Sequence, residues 1–409
     1  MRAYERLLKY IKYNTQSSEE TGTSPSTDSQ FVLARALAEE LKELGCAEVI
    51  LSEYCYVYAK LPATKGYEGA PTLAFIAHMD TATDFSGDGV TPRIIENYDG
   101  GDVSLSDSGL ILSSREFPHL KGLKGRTLIT TDGKTLLGAD DKAGIAEIMT
   151  LIENIQTCKI PHGPLSFVFT PDEEIGEGTA HFDLSLATAD VAFTVDGGEE
   201  GSLEYENFNA ASAKFNIRGF SVHPGSAKDK MINASLVAFE INSMLPSAEI
   251  PAKTEGYEGF YHVTGVGGSV SEAWISYIVR DHDMSRFSSR LDTLSHIEKV
   301  LSEKYGKGTV TLEIKQQYKN MKEKILPVMR IVEYAKEAAA DAGVEAKVEP
   351  IRGGTDGAGL SFMGLPCPNL GTGGYAFHGP FEHITAEGMD TVVKILENIT
   401  RSIANEAKS

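Results

Sequence analysis

Histidine and acidic residues follow several short apolar runs of this sequence, at places where a strand would end. The pattern places His78 and Asp80 after residues 73–77, Glu173 and Glu174 after residues 165–169, and Asp196 after residues 191–195. In α/β sheets, ligands bind beyond the carboxyl ends of the strands, so these side chains are expected to converge. Imidazole nitrogen and carboxylate oxygen are the ligands that zinc prefers where no thiolate is available. The spacing therefore predicts a metal site at one edge of a sheet.

The stretch Gly138–Gly144, with the sequence Gly-Ala-Asp-Asp-Lys-Ala-Gly, adds two more carboxylates. It precedes the helical apolar spacing of Ile145–Met149, which places Asp140 and Asp141 on a strand-to-helix turn. Carboxylates are favoured at a helix start by the helix dipole, and one of them could simply cap the helix. Considered alone, this structural role is the more common one.

The other acidic and histidine positions also have structural explanations. His78 could be a hydrogen-bonded core histidine, and Glu173 with Glu174 could form a solvated acidic turn. Asp196, followed by two glycines, is typical of a turn as well. Because all of these residues lie beside strand ends, a shared catalytic or metal-binding role is favoured over separate structural roles.

The chemistry that such a set can support is hydrolysis at two metal ions. Two divalent ions close together can share one carboxylate and one water, lower the pKa of that water and stabilise a tetrahedral intermediate. Each metal needs a histidine and a carboxylate besides the shared Asp, and a separate carboxylate must act as general base. The chain can supply these groups as His78, Asp140, Glu174, Asp196 and a histidine near the carboxyl terminus, with Glu173 as the base.

Composition and charge narrow the class of protein. With 409 residues, 41% hydrophobic and 23% charged, the chain is expected to form two domains of an ordinary soluble protein. Its net charge of −20 argues against nucleic-acid binding through a basic face. No apolar run is long enough for a membrane span, and the amino terminus lacks a signal-peptide core. Four cysteines without CxxC spacing favour a cytoplasmic location.

Strand and helix patterns must position these residues. Strands alternating with helices over the first half predict an α/β sheet with many parallel strands. Residues 84–115 are rich in Gly and Asp, which predicts a long surface excursion. Ile325–Ala342 is expected to form one long helix, Val344–Glu349 a strand, and Glu387–Ala407 a helix packed on the first domain.

The apolar pattern of residues 207–319 differs from that of the preceding α/β segments. Three segments alternate like antiparallel strands and two have helical spacing, which predicts a smaller α+β domain. The expected organisation is a catalytic domain formed by residues 1–206 and 320–409, with residues 207–319 inserted in it.

Several motifs of the chain resemble one known family, the co-catalytic zinc peptidases that include aminoacylase and glutamate carboxypeptidase. The resemblance is carried by His78-Met-Asp80, Gly138–Gly144, Asp172-Glu-Glu-Ile-Gly-Glu-Gly178 and Val195-Asp-Gly197. Residues 205–212, 254–261, 351–357 and 360–370 resemble the tripeptide-cleaving branch of that family more closely. The resemblance implies a zinc-exopeptidase-like mixed sheet flanked by helices, with the inserted domain as a lid and dimerisation domain.

The same resemblance implies a role for each residue of the predicted metal site. His78 and Asp196 would bind one metal, Glu174 and His378 the other, and Asp140 would bridge them; Glu173 would be the general base, and Asp80 would orient His78. It also implies a cis peptide between Asp140 and Asp141, and two Zn²⁺ per subunit, with Co²⁺ or Mn²⁺ as alternatives. His383 lies five residues after His378 and is expected to be structural.

Residues outside the metal site are expected to contact substrate. His223, in Ser-Val-His-Pro-Gly, resembles a family histidine that stabilises the oxyanion, in several relatives from the partner subunit of a dimer. Asn233 and Arg280 match positions that hold the substrate carboxylate, and the fork of an Arg is suited to that task. Arg352 lies in a Gly-rich turn and is a further candidate.

The function implied is a metal-dependent aminopeptidase that releases the first residue of tripeptides, with short peptides as substrates. The nearest alternative is a related dipeptidase or N-acyl amino acid amidohydrolase. An alternative from another class is a non-catalytic peptide-binding or metal-binding protein on the same fold.

Overall fold

The apolar runs found in the sequence form the centre of a mixed α/β sheet in a computed structural model, which describes residues 1–105 and 109–408. Strands and helices are numbered in chain order. The strands are β1 Ala47–Leu51, β2 Val57–Leu61, β3 Leu73–His78, β4 Arg93–Ile95, β5 Val103–Ser104, β6 Ile111–Leu112, β7 Leu128–Thr130, β8 Leu165–Thr170, β9 Val191–Gly197, β10 Ser202–Glu204, β11 Asn209–Arg218, β12 Phe260–Gly268, β13 Glu272–Asp281, β14 Val310–Gln316, β15 Lys347–Val348, β16 Asn369–Gly371, β17 Gly374–Tyr375 and β18 His383–Thr385.

The α-helices of the described residues vary from single turns to six turns in length. They are α1 Ala3–Tyr10, α2 Gln30–Glu43, α3 Ala139–Cys158, α4 Leu184–Ala187, α5 Ala234–Ser243, α6 Met284–Tyr305, α7 Lys322–Ile325, α8 Arg330–Asp341, α9 Asp356–Met363 and α10 Ala386–Ala404. Within the described residues, no helix is both long enough and apolar enough to cross a membrane.

The chain divides into two compact units. The first comprises Met1–Tyr205, Glu323–Glu349 and the residues from Thr355 onward, and the second comprises Glu206–Lys322 and Pro350–Gly354.

In the first unit, eight strands form one sheet in the order β1-β2-β8-β3-β9-β16-β10-β15. The central strands β8, β3 and β9 are mutually parallel. Every residue of β3 and β8 is buried, because a central parallel strand is covered on both faces. α3 packs against β3 and β9, and α1 and α10 pack on α3, while α9 contacts β9. The predicted mixed sheet flanked by helices is confirmed.

A second, four-stranded sheet of the first unit, in the order β17-β18-β7-β4, was not predicted. Residues 84–115 were expected to be a surface excursion, but they contribute β4, β5 and β6. Their side chains Tyr98, Val103, Leu105 and Leu112 are buried in an apolar cluster with Leu120 and Leu128. The prediction was therefore wrong for part of this segment, since widely spaced apolar residues among Gly and Asp give no periodic signal. Residues 106–108 of the segment lie outside the described residues.

Two further elements differ from the sequence prediction. The long helix expected over Ile325–Ala342 is divided into α7 and α8 by a 3₁₀ turn at Leu326–Val328. Pro327 explains the break, because proline has no amide hydrogen and its ring clashes with the preceding helical turn. The strand expected over Val344–Glu349 is limited to Lys347–Val348, which pairs with β10.

The second unit is a four-stranded antiparallel sheet in the order β12-β13-β11-β14, with α5 and α6 on one face. Its core alternates along β11, where Ala211, Ala213, Phe215 and Ile217 are buried. The predicted boundaries of 207–319 missed Pro350–Gly354. That segment belongs to this unit because the amide of Ile351 donates to the carbonyl of Glu206, at 2.8 Å.

Candidate metal centre

All five predicted ligands converge at the carboxyl edge of the large sheet, within the first unit. His78 is the last residue of β3, and Asp196 lies near the end of the neighbouring parallel strand β9. Glu174 is in a 3₁₀ turn that follows β8, and Asp140 is the second residue of α3. His378 lies in the loop between β17 and β18, and its side chain is 44% exposed, so solvent reaches the site from this side.

The carboxylate of Asp140 lies between two histidines. Its Oδ1 is 2.9 Å from Nε2 of His78, and its Oδ2 is 3.2 Å from Nε2 of His378. Each histidine nitrogen also has a second carboxylate beside it: Oδ1 of Asp196 at 3.3 Å from His78, and Oε2 of Glu174 at 3.1 Å from His378. The five side chains thus form two His–carboxylate pairs that share one Asp.

Asp141 is an alternative to Asp140, because its carboxylate also lies within 4.8 Å of ligand atoms of His78 and Asp196. However, its Oδ2 accepts the amide hydrogen of His78 at 3.1 Å, and its Oδ1 accepts that of Gly144 at 3.2 Å. Both oxygens of Asp141 are therefore engaged by the backbone, whereas those of Asp140 face imidazole nitrogens. A cis peptide joins the two residues, as the family resemblance implied.

Asp80 contacts both the histidine and the acidic turn. Its Oδ1 lies 3.3 Å from Nδ1 of His78, whose Nδ1 is also 3.1 Å from the Asp80 carbonyl oxygen. The two carboxylate oxygens accept the amide hydrogens of Glu173 and Glu174, at 3.0 and 3.1 Å. One buried carboxylate therefore orients the Nε2 of His78 towards the site and holds the turn that carries Glu173 and Glu174.

Several buried carboxylates lie close together in the site, and they shift the pKa values of the groups around them. Burial and the neighbouring Asp196 raise the pKa of Glu173 well above its usual range. Burial raises the pKa of Asp196 to about 8. Hydrogen bonds to Asp140 and Glu174 raise the pKa of His378 to about 11. Burial alone would lower the pKa of His78, but Asp196 and Asp140 raise it well above its usual value. The site thus favours positive charge strongly.

The donor set fits divalent cations. Oε1 of Glu174 is buried and has no hydrogen-bond partner among the described residues. Such an atom costs free energy unless a cation or water satisfies it. Two imidazoles and three carboxylates, without a thiolate, suit zinc, cobalt or manganese. His78, Asp196 and Asp140 would hold one ion, and His378, Glu174 and Asp140 the other.

The four predicted substrate contacts lie in the second unit. His223 precedes a 3₁₀ turn and its Nδ1 accepts the amide hydrogen of Gly225 at 3.2 Å. Oδ1 of Asn233 accepts the amide hydrogens of Ser235 and Leu236, at 3.0 and 3.3 Å, and so caps α5. This cap is a structural role that the sequence pattern did not separate from ligand binding.

The two arginines also have partners within the second unit. Arg280 is buried; it donates to the carbonyls of Ala211 and Val279, and its guanidinium lies 5.2 Å from the Tyr318 ring centre. Arg352 donates to the carbonyls of Gly256, Glu258 and Thr254 and lies over the rings of Phe208 and Phe260. Both guanidiniums are thus tied to the backbone of their own unit.

Three buried charged residues of the first unit were not singled out from the sequence. Asp356 at the start of α9 accepts a hydrogen bond from Thr170 at 2.9 Å, and Lys142 and Glu382 lie beside the turn that carries Asp140. Lys142 and Asp356 belong to the motifs already noted, but a motif does not indicate which of its charges are buried. His383, expected to be structural, is buried with its Nε2 at 2.8 Å from Nε2 of His119.

Comparison with known proteins identifies the family. The profile described as "Peptidase family M20/M25/M40" matches residues 130–402. The chain is 55% identical over 397 residues to Peptidase T of Caldanaerobacter subterraneus subsp. tengcongensis, with 97% of each chain covered. It is 54% identical over 406 residues to Peptidase T of Clostridium perfringens, with 99% of this chain and all of the relative covered.

Solved structures share the fold at lower sequence identity. Aminopeptidase PepT from Bacillus cereus matches with a TM-score of 0.79 at 22% identity, over 98% of each chain. A dinuclear metal binding peptidase of the M20 family from Bacillus subtilis matches with a TM-score of 0.65 at 16% identity, also over 98% of each chain. Because the profile spans well over half of the chain and the curated relatives are more than half identical to it, the chain belongs to peptidase family M20/M25/M40.

Proposed function

We propose that this protein is a metal-dependent aminopeptidase that releases the amino-terminal residue of tripeptides. The observation that carries the proposal is the Asp140 carboxylate, which presents one oxygen to each of two His–carboxylate pairs. Relatives named Peptidase T, similar over nearly the whole chain, and a similarly folded tripeptidase from Staphylococcus aureus support the substrate class.

The proposed ligands are the members of the two His–carboxylate pairs together with Asp140, which lies between them. His78 and Asp196 would hold one ion, Glu174 and His378 would hold the other, and Asp140 would be shared. Two Zn²⁺ are the preferred ions, with Co²⁺ or Mn²⁺ as alternatives for the same donors. When bound, such a pair supplies an acidified water and positive charge opposite the tetrahedral intermediate.

Glu173 is the proposed general base. It is adjacent to the ligand Glu174, and its amide is held by Asp80 in the turn that follows β8. Its carboxylate takes a proton from the attacking water and passes that proton to the leaving amine. Asp80 keeps Nδ1 of His78 hydrogen-bonded, so that Nε2 remains available as a ligand.

Substrate contacts from the second unit are part of the proposal. His223, whose Nδ1 is engaged by Gly225, would use its other ring nitrogen to donate to the oxyanion. Arg280, Asn233 and Arg352 are the candidates for the substrate carboxylate, although each already has partners in its own unit. The second unit would then serve as lid and dimerisation domain, and the protein would act in the cytoplasm as a homodimer.

A matched peptide series tests the function. A free tripeptide, a dipeptide, a tetrapeptide and an N-acetylated tripeptide are offered to metal-depleted and to zinc-reloaded protein, and the released amino acids are quantified. We expect cleavage of the free tripeptide, lost on metal removal and restored by zinc. Equal cleavage of the acetylated peptide would instead identify an amidohydrolase, and preference for the dipeptide a dipeptidase. Zinc binding without cleavage of any peptide would identify a binding protein.

A further inference from the structure

Glu382 is a buried carboxylate with an unusual set of partners. It lies in the loop between β17 and β18, and its side chain is 1% exposed. Its Oε2 accepts the amide hydrogens of Leu137 and Gly138, at 2.7 and 3.0 Å, and its Oε1 accepts that of Asp140 at 3.1 Å. One carboxylate therefore accepts three backbone amide hydrogens around the start of α3.

These hydrogen bonds act on the backbone of Asp140 itself. In its ionised form Glu382 makes hydrogen bonds that are roughly twice as strong as those between neutral groups. They fix the orientation of the peptide before Asp140, and hence where its side chain leaves the backbone. The carboxylate of Asp140 must reach two histidines at once, at 2.9 and 3.2 Å, so a small displacement of its Cα would lengthen at least one contact.

Glu382 also connects two ligand-bearing segments. It follows His378 by only four residues, within the loop that brings this histidine to Oδ2 of Asp140. The loop is thus bonded to the turn at Asp140 twice, once through the imidazole and once through Glu382. The distance between the proposed ligands Asp140 and His378 therefore depends on the hydrogen bonds of Glu382.

We propose that Glu382 is a positioning residue of the metal centre, which sets the place of Asp140 relative to His78 and His378. This proposal rests on the proposed function, because it assigns a task to Glu382 only if these side chains bind metal. Glu382 itself is not one of the proposed ligands.

The chain offers a matched control. Glu387, at the beginning of α10, accepts the amide hydrogen of Thr127 at 2.7 Å and its hydroxyl at 3.1 Å. It is a partly buried carboxylate that likewise ties a loop of the first unit to the segment after His378. Its partners do not belong to the turn at Asp140.

The test compares Glu382→Gln and Glu387→Gln with the unchanged protein. An amide side chain has a single acceptor oxygen, so Glu382→Gln must lose the hydrogen bond to Asp140 or those to Leu137 and Gly138. We measure zinc affinity by competition with a chelator, the visible absorption of the cobalt-substituted protein, and kcat and KM with a free tripeptide. For Glu382→Gln we expect zinc affinity or kcat to fall about 10- to 100-fold, with altered cobalt absorption and little change in KM.

Glu387→Gln should keep the zinc affinity, cobalt absorption and kcat of the unchanged protein. Equal losses in both variants, or an unaffected Glu382→Gln, would overturn the positioning role. If Glu382→Gln does not fold, Glu382→Asp keeps the charge on a shorter side chain, and the same measurements decide. Failure of the unchanged protein to bind zinc or cleave the tripeptide would contradict the proposed function instead.

Discussion

Asp80 shows how much of the site depends on single side chains. Its carboxylate contacts the ring of His78 and also accepts the amides of Glu173 and Glu174. Two proposed ligands, His78 and Glu174, and the proposed base Glu173 are therefore all held by the carboxylate of Asp80. A carboxylate beside a metal-binding histidine also increases the basicity of the ring.

Replacing Asp80 with Asn should weaken the site without removing a ligand. The amide keeps one acceptor oxygen, so one of the two amide hydrogen bonds to the acidic turn is lost. We expect zinc affinity or kcat to fall about 10- to 100-fold, measured by chelator competition and tripeptide hydrolysis. Asp88→Asn, in an exposed loop, is the control and should leave both quantities unchanged. Normal kcat and affinity in Asp80→Asn would contradict this role.

Glu173→Ala should separate binding from turnover. If Glu173 transfers the proton and is not a ligand, the variant should bind zinc and tripeptide normally while kcat falls by at least about 100-fold. Isothermal titration calorimetry measures binding, and release of the amino-terminal residue measures turnover. Glu177→Ala, with an exposed side chain in the same loop, is the control. A large loss of zinc affinity in Glu173→Ala would mean that this residue is a ligand.

The packing of α3 against the large sheet determines where Asp140 lies. Gly144 in its first turns is so close to β9 that a Cβ there would be 2.0 Å from the carbonyl oxygen of Val195 and 2.5 Å from Oδ1 of Asp141. The absence of a side chain allows the start of the helix to approach the strand that carries Asp196. Close backbone approach is therefore what brings Asp140 and Asp196 to the same proposed ion site.

Gly144→Ala should consequently affect both stability and metal binding. Because the contacted atoms include backbone, α3 would have to shift, and overpacking of this kind costs about 1–3 kcal/mol or more. Urea unfolding of the metal-free protein should show the loss, and chelator competition should show weaker zinc binding. Gly122→Ala is the control, since a Cβ there meets no atom within 4 Å. Equal behaviour of the two variants would refute the close approach.

Glu204, the last residue of β10, should make the free energy of unfolding depend on pH. Burial raises the pKa of Glu204 to about 7, although Asn369 donates a hydrogen bond to it at 2.7 Å. The folded state therefore holds this proton more tightly than the unfolded state, in which a Glu has a pKa of roughly 4.3. Stability contributed by the protonated group is present below that value and is lost as the pH rises through about 7.

Glu204→Gln should remove this loss, because the amide oxygen can still accept from Asn369 and carries no charge. The variant should be more stable than the unchanged protein at pH 8, by on the order of 1–3 kcal/mol, and similar to it at pH 4.5. Urea unfolding of the metal-free protein at both pH values measures the difference. Glu345→Gln, at an exposed position, should show no such pH-dependent gain. A gain of the same size at both pH values would contradict the titration of Glu204.

For the whole molecule, the organisation in two units confines the proposed metal ligands to one of them. His78, Asp140, Glu174, Asp196 and His378 belong to the first unit, while the second has its own core between its sheet and α5 and α6. A metal that binds only the folded first unit stabilises it by about 2.7 kcal/mol at a free concentration of 100 times its Kd.

Zinc should therefore raise the thermal unfolding midpoint, monitored by circular dichroism, and chelation should reverse the shift. His378→Ala removes one proposed ligand and should reduce the zinc-induced shift. His296→Ala, on the exposed face of α6 in the second unit, should keep the full shift. An undiminished shift in His378→Ala would show that this histidine does not contribute to metal binding.

Much of this architecture could be predicted from periodicity alone. The strands around Phe75, Phe167 and Phe193 were found because central parallel strands are continuously apolar, and β11 and β13 because their apolar residues alternate. The short strands at residues 93–112 were missed, since two- and three-residue strands leave no periodic pattern. The break at Pro327 was missed because the apolar spacing of the helix continues across it.

By itself, the amino-acid sequence determined the types of the candidate ligands and their places at strand ends, since these follow from local apolar patterning. The family resemblance assigned the shared position to Asp140, but only the tertiary structure gives the physical reason, because the backbone already occupies both oxygens of Asp141. The tertiary structure alone found Glu382, whose partner Leu137 lies 245 residues away in the chain. Hydrogen bonds between such distant segments arise from the packing of the folded chain, and no local pattern records them.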